Sequence, residues 1–414
     1  MNFLKDSKLN IFMLTLLYIG LSVEAVGVNY LNPSLKGILR LIIMIVTIIY
    51  FSIISLKKSN FEYILPANKM SYLLLMVWIA FGISIGLSDV LTMRLPTGGI
   101  GYSFIVPMIF FVLIPMALDN PLLSMIKALF YSSIVYILLT LIIEPTNTGN
   151  IAYMGITANY NNMGLLAFEA ALGAIILIFV KNTEKKLISF KTLFYVISFV
   201  ISAIVLMRTQ SRTAFLGLIV GTFIALVLNI LNKSVSKKQI ALLTLGAIFI
   251  YAFYFHDYFM TNILSKFVSK GSTDVLSGRG SIWFQVIEES TILGYGGDYF
   301  SDHIGIAAHN VIVQILGEHG IIASILLLVF VLGTLIIALR YFFVQKNKVI
   351  NFIPFAYLCG FFIIIMSESV FGVITKTPTM VFYSFSGFLI FDNNYKRYGA
   401  EITNAKNIHY NSNL

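Results

Sequence analysis

Long apolar runs recur along this chain, and their length is that of a lipid bilayer. LIIMIVTIIYFSIISL (41–56) and SILLLVFVLGTLIIALRYFF (324–343) lie in two such stretches, and at about 1.5 Å rise per residue helices of this kind cross a hydrocarbon core of roughly 30 Å. A backbone in lipid must satisfy its N–H and C=O groups internally, which a helix does. Composition agrees, with 58% hydrophobic and 11% charged residues, where a soluble domain carries about 25% charged. A soluble globular enzyme is excluded. Hydropathy places about twelve spans, near 9–28, 35–56, 70–88, 100–118, 122–143, 163–180, 190–207, 213–231, 239–256, 321–342, 351–370 and 379–391. The predicted fold is all-α, a polytopic integral membrane protein. The stretch after Lys5 and Lys8 has no small-residue cleavage pattern, so it reads as a retained first helix and not as a signal peptide. The single Cys359 excludes a disulfide framework or a cysteine metal site.

The formal charge is +10, but the basic residues lie in short loops between spans, a topological pattern and not a nucleic-acid surface. With the N-terminus cytoplasmic, 19 of the 28 basic residues fall inside and 9 outside, the latter being Lys36, Arg40, Arg94, Arg208, Arg212, Lys266, Lys270, Arg279 and Lys376. The positive-inside rule then places both termini in the cytoplasm. The chain divides into nine helices (1–256), a large extracytoplasmic loop with short helices that carries the active site (257–320), and three helices with a cytoplasmic tail (321–414). Residue type says more than the total. Inside there are 17 Lys and 2 Arg, outside 4 Lys and 5 Arg. Lysine alone satisfies a topology rule, whereas a planar guanidinium grips phosphate or carboxylate with two prongs. The outer face therefore reads as built to hold an anion, although Arg40 and Arg94 are equally explained by lipid headgroups.

Three segments on that face set polar groups beside apolar spans. In MRTQSRTAFLG (207–217) the spacing of Arg208 and Arg212 puts both on one helical face if the helix extends that far. In SGRGSIWFQVIEES (277–290) glycines flank Arg279 and an amphipathic helix follows, with Trp283 suited to the membrane interface. In AAHNVIVQILGEHG (307–320) His309 opens a helix leading into the tenth span. A neutral imidazole is the side chain best suited to take a proton from a hydroxyl, and nearby arginines would hold a departing phosphate. Together they read as group transfer from a phosphate-activated donor. Gly294-Tyr295-Gly296-Gly297 does not open a helix after a strand and reads as a flexible turn. Asp298, Asp302 and His303 lack the spacing of a metal site. Glu169 lies inside a span and must face protein or a polar cavity, while Glu24 and Glu368 sit near span ends and read as reaching headgroups.

These features, in this order, resemble the O-antigen ligase and Wzy-type polysaccharide polymerase superfamily. The resemblance runs over Asn159, Asn161 and Gly164, the Ser211-Arg212 pair, Gly278, Arg279 and Trp283, Gly294 and Gly296, and His309-Asn310 with Gly317 and Gly320. It covers roughly 155–345; the first five spans add only hydropathy. It implies a C-type glycosyltransferase acting on an oligosaccharide carried by undecaprenyl diphosphate, with no cofactor, no nucleotide sugar and no metal. His309 is then the catalytic base and Arg212 and Arg279 bind the diphosphate. Arg208 joins them on spacing alone. Partners implied are lipid-linked donor and acceptor, the bilayer, a flippase and a chain-length regulator. Within the family a glycan ligase is the alternative, and a flippase the alternative from another class. A Lys-, Ile- and Asn-rich chain suits a low-GC Gram-positive source without lipid A, which favours the polymerase. A flippase would place its charge in a central cavity open to both sides.

Overall fold

The computed structural model describes residues 8–58, 66–145, 152–182, 189–232, 279–345, 349–373 and 376–391. Helices occur at eleven of the expected spans: α1 (Lys8–Ser22), α2 (Pro33–Lys58), α3 (Lys69–Leu91), α4 (Thr97–Ala117), α5 (Pro121–Ile143), α6 (Tyr160–Asn182), α7 (Phe190–Thr209), α8 (Arg212–Leu231), α10 (Val311–Val344), α11 (Ile353–Ile365) and α12 (Thr377–Phe391). The short helix α9 (Arg279–Glu289) precedes α10. Among the described residues there is no strand, only an isolated bridge between Val26 and Thr157. Nine of the described helices are long and apolar enough to cross a membrane. By contrast α11 and α12, with 13 and 15 residues, reach only about 20 Å. The expected span 239–256, the loop residues 257–278, and Lys266, Lys270 and Gly278 lie outside the described residues.

At the centre of the bundle α6 is almost wholly buried, and its sequence explains why. Gly164, Ala167, Ala170, Ala171, Gly173 and Ala174 keep its surface low, so α5, α7 and α8 approach closely. A Cβ at Gly173 would lie 3.0 Å from that of Phe130 on α5. The opposite case is α2, where Leu41, Ile45, Ile49, Ile53 and Leu56 are exposed and form an apolar face suited to lipid. Glu169 sits in the buried part of α6 and accepts a hydrogen bond from Ser133 of α5, facing protein as its sequence position requires. Buried Trp78 joins α3 to α4, α10 and α12: its indole donates to the Tyr102 carbonyl (2.7 Å), and its ring meets Phe330 and Tyr383 at 4.6 and 5.3 Å.

Two features of the frame position the site. Helix α8 runs antiparallel along α11, with Gly217 against Gly360 and Gly221 against Ala356. Continued toward the start of α8, that register sets Arg212 level with Ile365, the last residue of α11. The second feature is a break in α10. Gly320 has φ 84° and ψ −177°, a conformation open essentially only to glycine, and its Cα faces the backbone of Ile292 and Gly294. The segment before it, Val311–His319, is therefore a separate short helix that leans away from the spanning part.

Candidate functional site

The connections at one end of the bundle are stitched together. Ala158 N–H donates to the Ala25 carbonyl at 2.8 Å, Tyr153 N–H to the Arg208 carbonyl at 2.9 Å, and Gly296 N–H to the Glu318 carbonyl at 2.7 Å. The described basic residues that the charge rule assigns to the minority side all lie there. Lys36 donates to the Val26 carbonyl, Arg40 pairs with Glu24 at 3.3 Å, and Arg94 pairs with Asp298. The segments thus share one end, as the loop pattern requires. Glu24 engages Arg40, and Arg94 holds a loop carboxylate.

Within this end, three side chains from two elements converge on the three residues that follow α11. From α9, Arg279 Nη1 donates to the Ser367 carbonyl at 3.0 Å. From the start of α10, Asn310 Nδ2 donates to the Met366 carbonyl at 3.1 Å, while its Oδ1 caps the helix by accepting from Ile312 and Val313 N–H. Beside it, His309 Nδ1 lies 3.6 Å from a Glu368 carboxylate oxygen. Met366 is the C-cap of α11, so its carbonyl is one of the orphans that end a helix; side chains take it and the next carbonyl where α11 stops, at Ile365 and not at 370.

His309 has φ +51°. The left-handed region is uncommon for a residue with a side chain and costs about 1–3 kcal/mol. It turns the imidazole toward Glu368 while the next residue caps α10. The His309 side chain is 36% exposed and that of Glu368 11%, so the carboxylate is the buried backing and the ring the accessible face. A separation of 3.6 Å exceeds a hydrogen bond, yet such contacts in unliganded sites tighten when substrate arrives. Nδ1 facing the carboxylate leaves Nε2 as the basic nitrogen.

Lys376 completes the group. Its ammonium lies 3.3 Å from the Asn162 side-chain oxygen in the first turn of α6. Burial pushes its pKa below the ordinary lysine value, and the Glu368 charge holds it partly back up. A cation that faces Glu368 ties the Asn-rich start of α6 to the same centre. The turn before α8 arrives there too, because a Cβ at Gly164 would meet the Ser211 Cβ at 2.6 Å. Arg212 is thereby carried to the level of Ile365.

Several expectations change on contact with this geometry. Arg208 and Arg212 do not share a helical face: α7 ends at Thr209, Gln210 adopts φ +55°, and Ser211 is the extended N-cap from which α8 starts at Arg212. Arg208 turns instead to the stretch before α6, donating to the Pro145 carbonyl at 3.4 Å and lying 5.9 Å from the Tyr153 ring centre. Trp283 does not merely mark an interface, since its indole donates to the Ala308 carbonyl at 2.7 Å and fixes the residue beside His309. The Gly294–Gly297 turn is pinned and not flexible, because Tyr295 N–H and Gly296 N–H donate to the Gly317 and Glu318 carbonyls at 3.1 and 2.7 Å. Among the described residues no three His, Cys, Asp or Glu side chains gather to hold a metal ion. Glu368, read from sequence as a headgroup contact, and Lys376, read only as a topology marker, are the residues that sequence reasoning missed. Glu368 falls inside the expected span 351–370, and an ionisable group within a span is a functional signal by default.

The family model for O-antigen ligase matches residues 197–328, the segment from α7 into α10 that holds Arg208, Arg212, Arg279 and His309. It bears out the resemblance read from the motifs and covers about a third of the chain. No curated protein matches the chain.

Proposed function

We propose that this chain, a helical membrane protein carrying an O-antigen ligase-type segment, joins oligosaccharide repeat units carried on undecaprenyl diphosphate into a capsular, exo- or O-antigen polysaccharide. The observation that carries this reading is the His309–Glu368 pair beside Arg279 at the foot of α11. It combines a proton acceptor with a planar cation that can hold phosphate.

In the reaction, a hydroxyl oxygen of the acceptor sugar attacks the anomeric carbon of the donor. Its proton passes to His309 Nε2, and the Glu368 carboxylate offsets the charge that forms on the ring. The bond from that carbon to the diphosphate breaks, and its electron pair leaves with the diphosphate oxygen. Arg279 and Arg212 take up that negative charge, which is where fixed cations lower a barrier most. Single displacement inverts the anomeric centre. Because the leaving group is already activated, the chemistry requires no nucleotide. Arg208, with its contacts to Pro145 and Tyr153, shapes the neighbouring wall and does not grip the donor directly.

The site lies on the outer face of the cytoplasmic membrane, with both termini inside, in keeping with the 19 to 9 split of basic residues. A flippase that delivers the donor and a chain-length regulator are the partners this reading requires. The test is a deletion strain complemented with wild type or His309→Ala. Wild type restores polymer, while the variant, inserted at normal level, leaves single repeat units on the lipid carrier. Units that instead accumulate as finished chains awaiting transfer identify a ligase.

A further inference from the structure

A concave feature lies at the far end of α9 from Arg279. It is a cavity of about 400 Å³ lined by Arg94, Glu289, Tyr295, Asp298, Tyr299, Asp302 and His303. None of these residues enters the chemistry proposed above. The 11 residues of α9 separate Arg279 from Glu289 by about 15 Å, the reach of a short oligosaccharide. Both ends belong to one rigid unit. Ile282, Trp283 and Val286 on α9 share an apolar cluster with Tyr299, Phe300, Ala308 and Val313, so the cavity is held at a fixed distance from His309.

The side chains are organised for a polyhydroxylated ligand. Tyr295 and Tyr299 are stacked, with ring centres 5.1 Å apart and planes 15° from parallel. Tyr299 is buried and Tyr295 is 45% exposed, so the accessible aromatic face is the side of Tyr295 turned away from its partner. The stack is braced from below by Glu289. That carboxylate accepts from the Tyr299 hydroxyl at 2.6 Å and from Gln285 at 2.9 Å, and His303 Nε2 lies 3.2 Å away. The Tyr299 hydrogen bond, then those of Gln285 and His303, hold Glu289 below the ordinary carboxylate range, so it is a fixed anion already committed to protein donors. Around the rim Asp302, bonded at one oxygen by Ser301 (2.8 Å), and Asp298 beside Arg94 are open to solvent. An apolar ring face with a few convergent polar groups is the usual make-up of a small-ligand pocket. Three carboxylates against one arginine already paired disfavour an anion, so this is not a second diphosphate site.

We infer that this cavity is a remote saccharide subsite, in which an uncharged sugar of the lipid-linked glycan stacks on Tyr295 and offers its hydroxyls to Asp302, His303 and Asp298. The inference rests on the polymerase reading and adds to it a place that holds the chain between rounds of addition. A sugar held about one helix length from Arg279 keeps the growing polymer on the enzyme.

The test uses the complemented deletion strain with Tyr295→Ala, Tyr295→Phe and Asp302→Ala, in each case measuring the length distribution of the polymer. Tyr295 and Asp302 are exposed, and Tyr295→Phe, which loses only the hydroxyl's bond to the Glu289 carbonyl (2.6 Å), separates the role of the ring from that bond. Purified full-length protein is examined in parallel by saturation-transfer NMR, with oligosaccharide fragments of the strain's own polymer as the probe. Tyr295→Ala and Asp302→Ala should shift product to short chains and weaken fragment binding by about threefold to tenfold, the loss of one aromatic or charged hydrogen-bonding contact. Tyr295→Phe keeps the ring and should stay near wild type. Wild-type chain length and unchanged fragment binding in both alanine variants would overturn the inference. If His309→Ala polymerises normally in the same strain, the functional reading itself fails; if His309→Ala is inactive while the cavity variants match wild type, only the subsite is wrong.

Discussion

Replacing Glu368 by glutamine keeps the shape of the side chain and removes the charge that faces His309. At 3.6 Å, two unit charges interact by about 1 kcal/mol in bulk water and about 4–5 kcal/mol at the effective dielectric of a protein surface. The His309 side chain is 36% exposed and Glu368 11%, so solvent screens part of the larger value and about 2 kcal/mol is the working figure. That energy is realised only when the imidazole takes up a proton in the transition state. It therefore appears in kcat, as a fall of about 30-fold, with the KM for donor nearly unchanged. The assay is polymer formation by purified protein with lipid-diphosphate-linked repeat units, run on wild type, Glu368→Gln, His309→Ala and the double variant. If Glu368 acts through His309, its loss costs nothing further once the histidine is gone, and the double variant matches His309→Ala. A glutamine variant with wild-type kcat, or a double variant weaker than His309→Ala by the same factor again, refutes the pairing.

Arg279→Lys keeps the charge but loses the two-pronged grip and the bond to the Ser367 carbonyl, and donor turnover should fall about tenfold to hundredfold, whereas Arg40→Lys, whose partner is Glu24, should be silent in the same assay. Gly320→Ala should lower stability by at least about 2 kcal/mol, because φ 84° with ψ −177° strains any side chain and a Cβ collides with Gly294 and Ile292; thermal unfolding in detergent measures it, and an unchanged midpoint contradicts the role given to the α10 break. Ser301→Cys in a Cys359→Ser background should react with an impermeant thiol reagent on intact cells, and labelling only after lysis reverses the assigned sidedness.

Hydropathy and charge made the helical architecture legible because each depends on one segment at a time. The start of α10 could be read in the same way, since Asn310 is a strong capping residue just before an apolar run. What could not be read was anything set by two segments at once. Arg208 and Arg212 look like helical neighbours until Gln210 adopts a left-handed conformation between them, in the turn whose Thr209 and Ser211 pack against Gly164. Trp283 looks like an interface residue until the Ala308 carbonyl is placed beside its indole. Glu368 and Lys376 belong to the site only because α11 ends against α9 and α10, and their sequence neighbourhood carries no trace of Arg279 or His309, which lie 89 and 59 positions or more upstream in the chain.

On the proposed mechanism, His309 accepts the proton in glycosyl transfer from a lipid diphosphate. The most direct test is reconstitution of purified protein in lipid with a defined undecaprenyl-diphosphate-linked repeat unit, following both polymer and released undecaprenyl diphosphate. Wild type should produce the two together, one carrier released per linkage formed. His309→Ala should bind donor as wild type does while both products fall by about 10²–10⁴-fold, the usual contribution of a general base. Polymer and carrier release at the wild-type rate from His309→Ala would contradict the account.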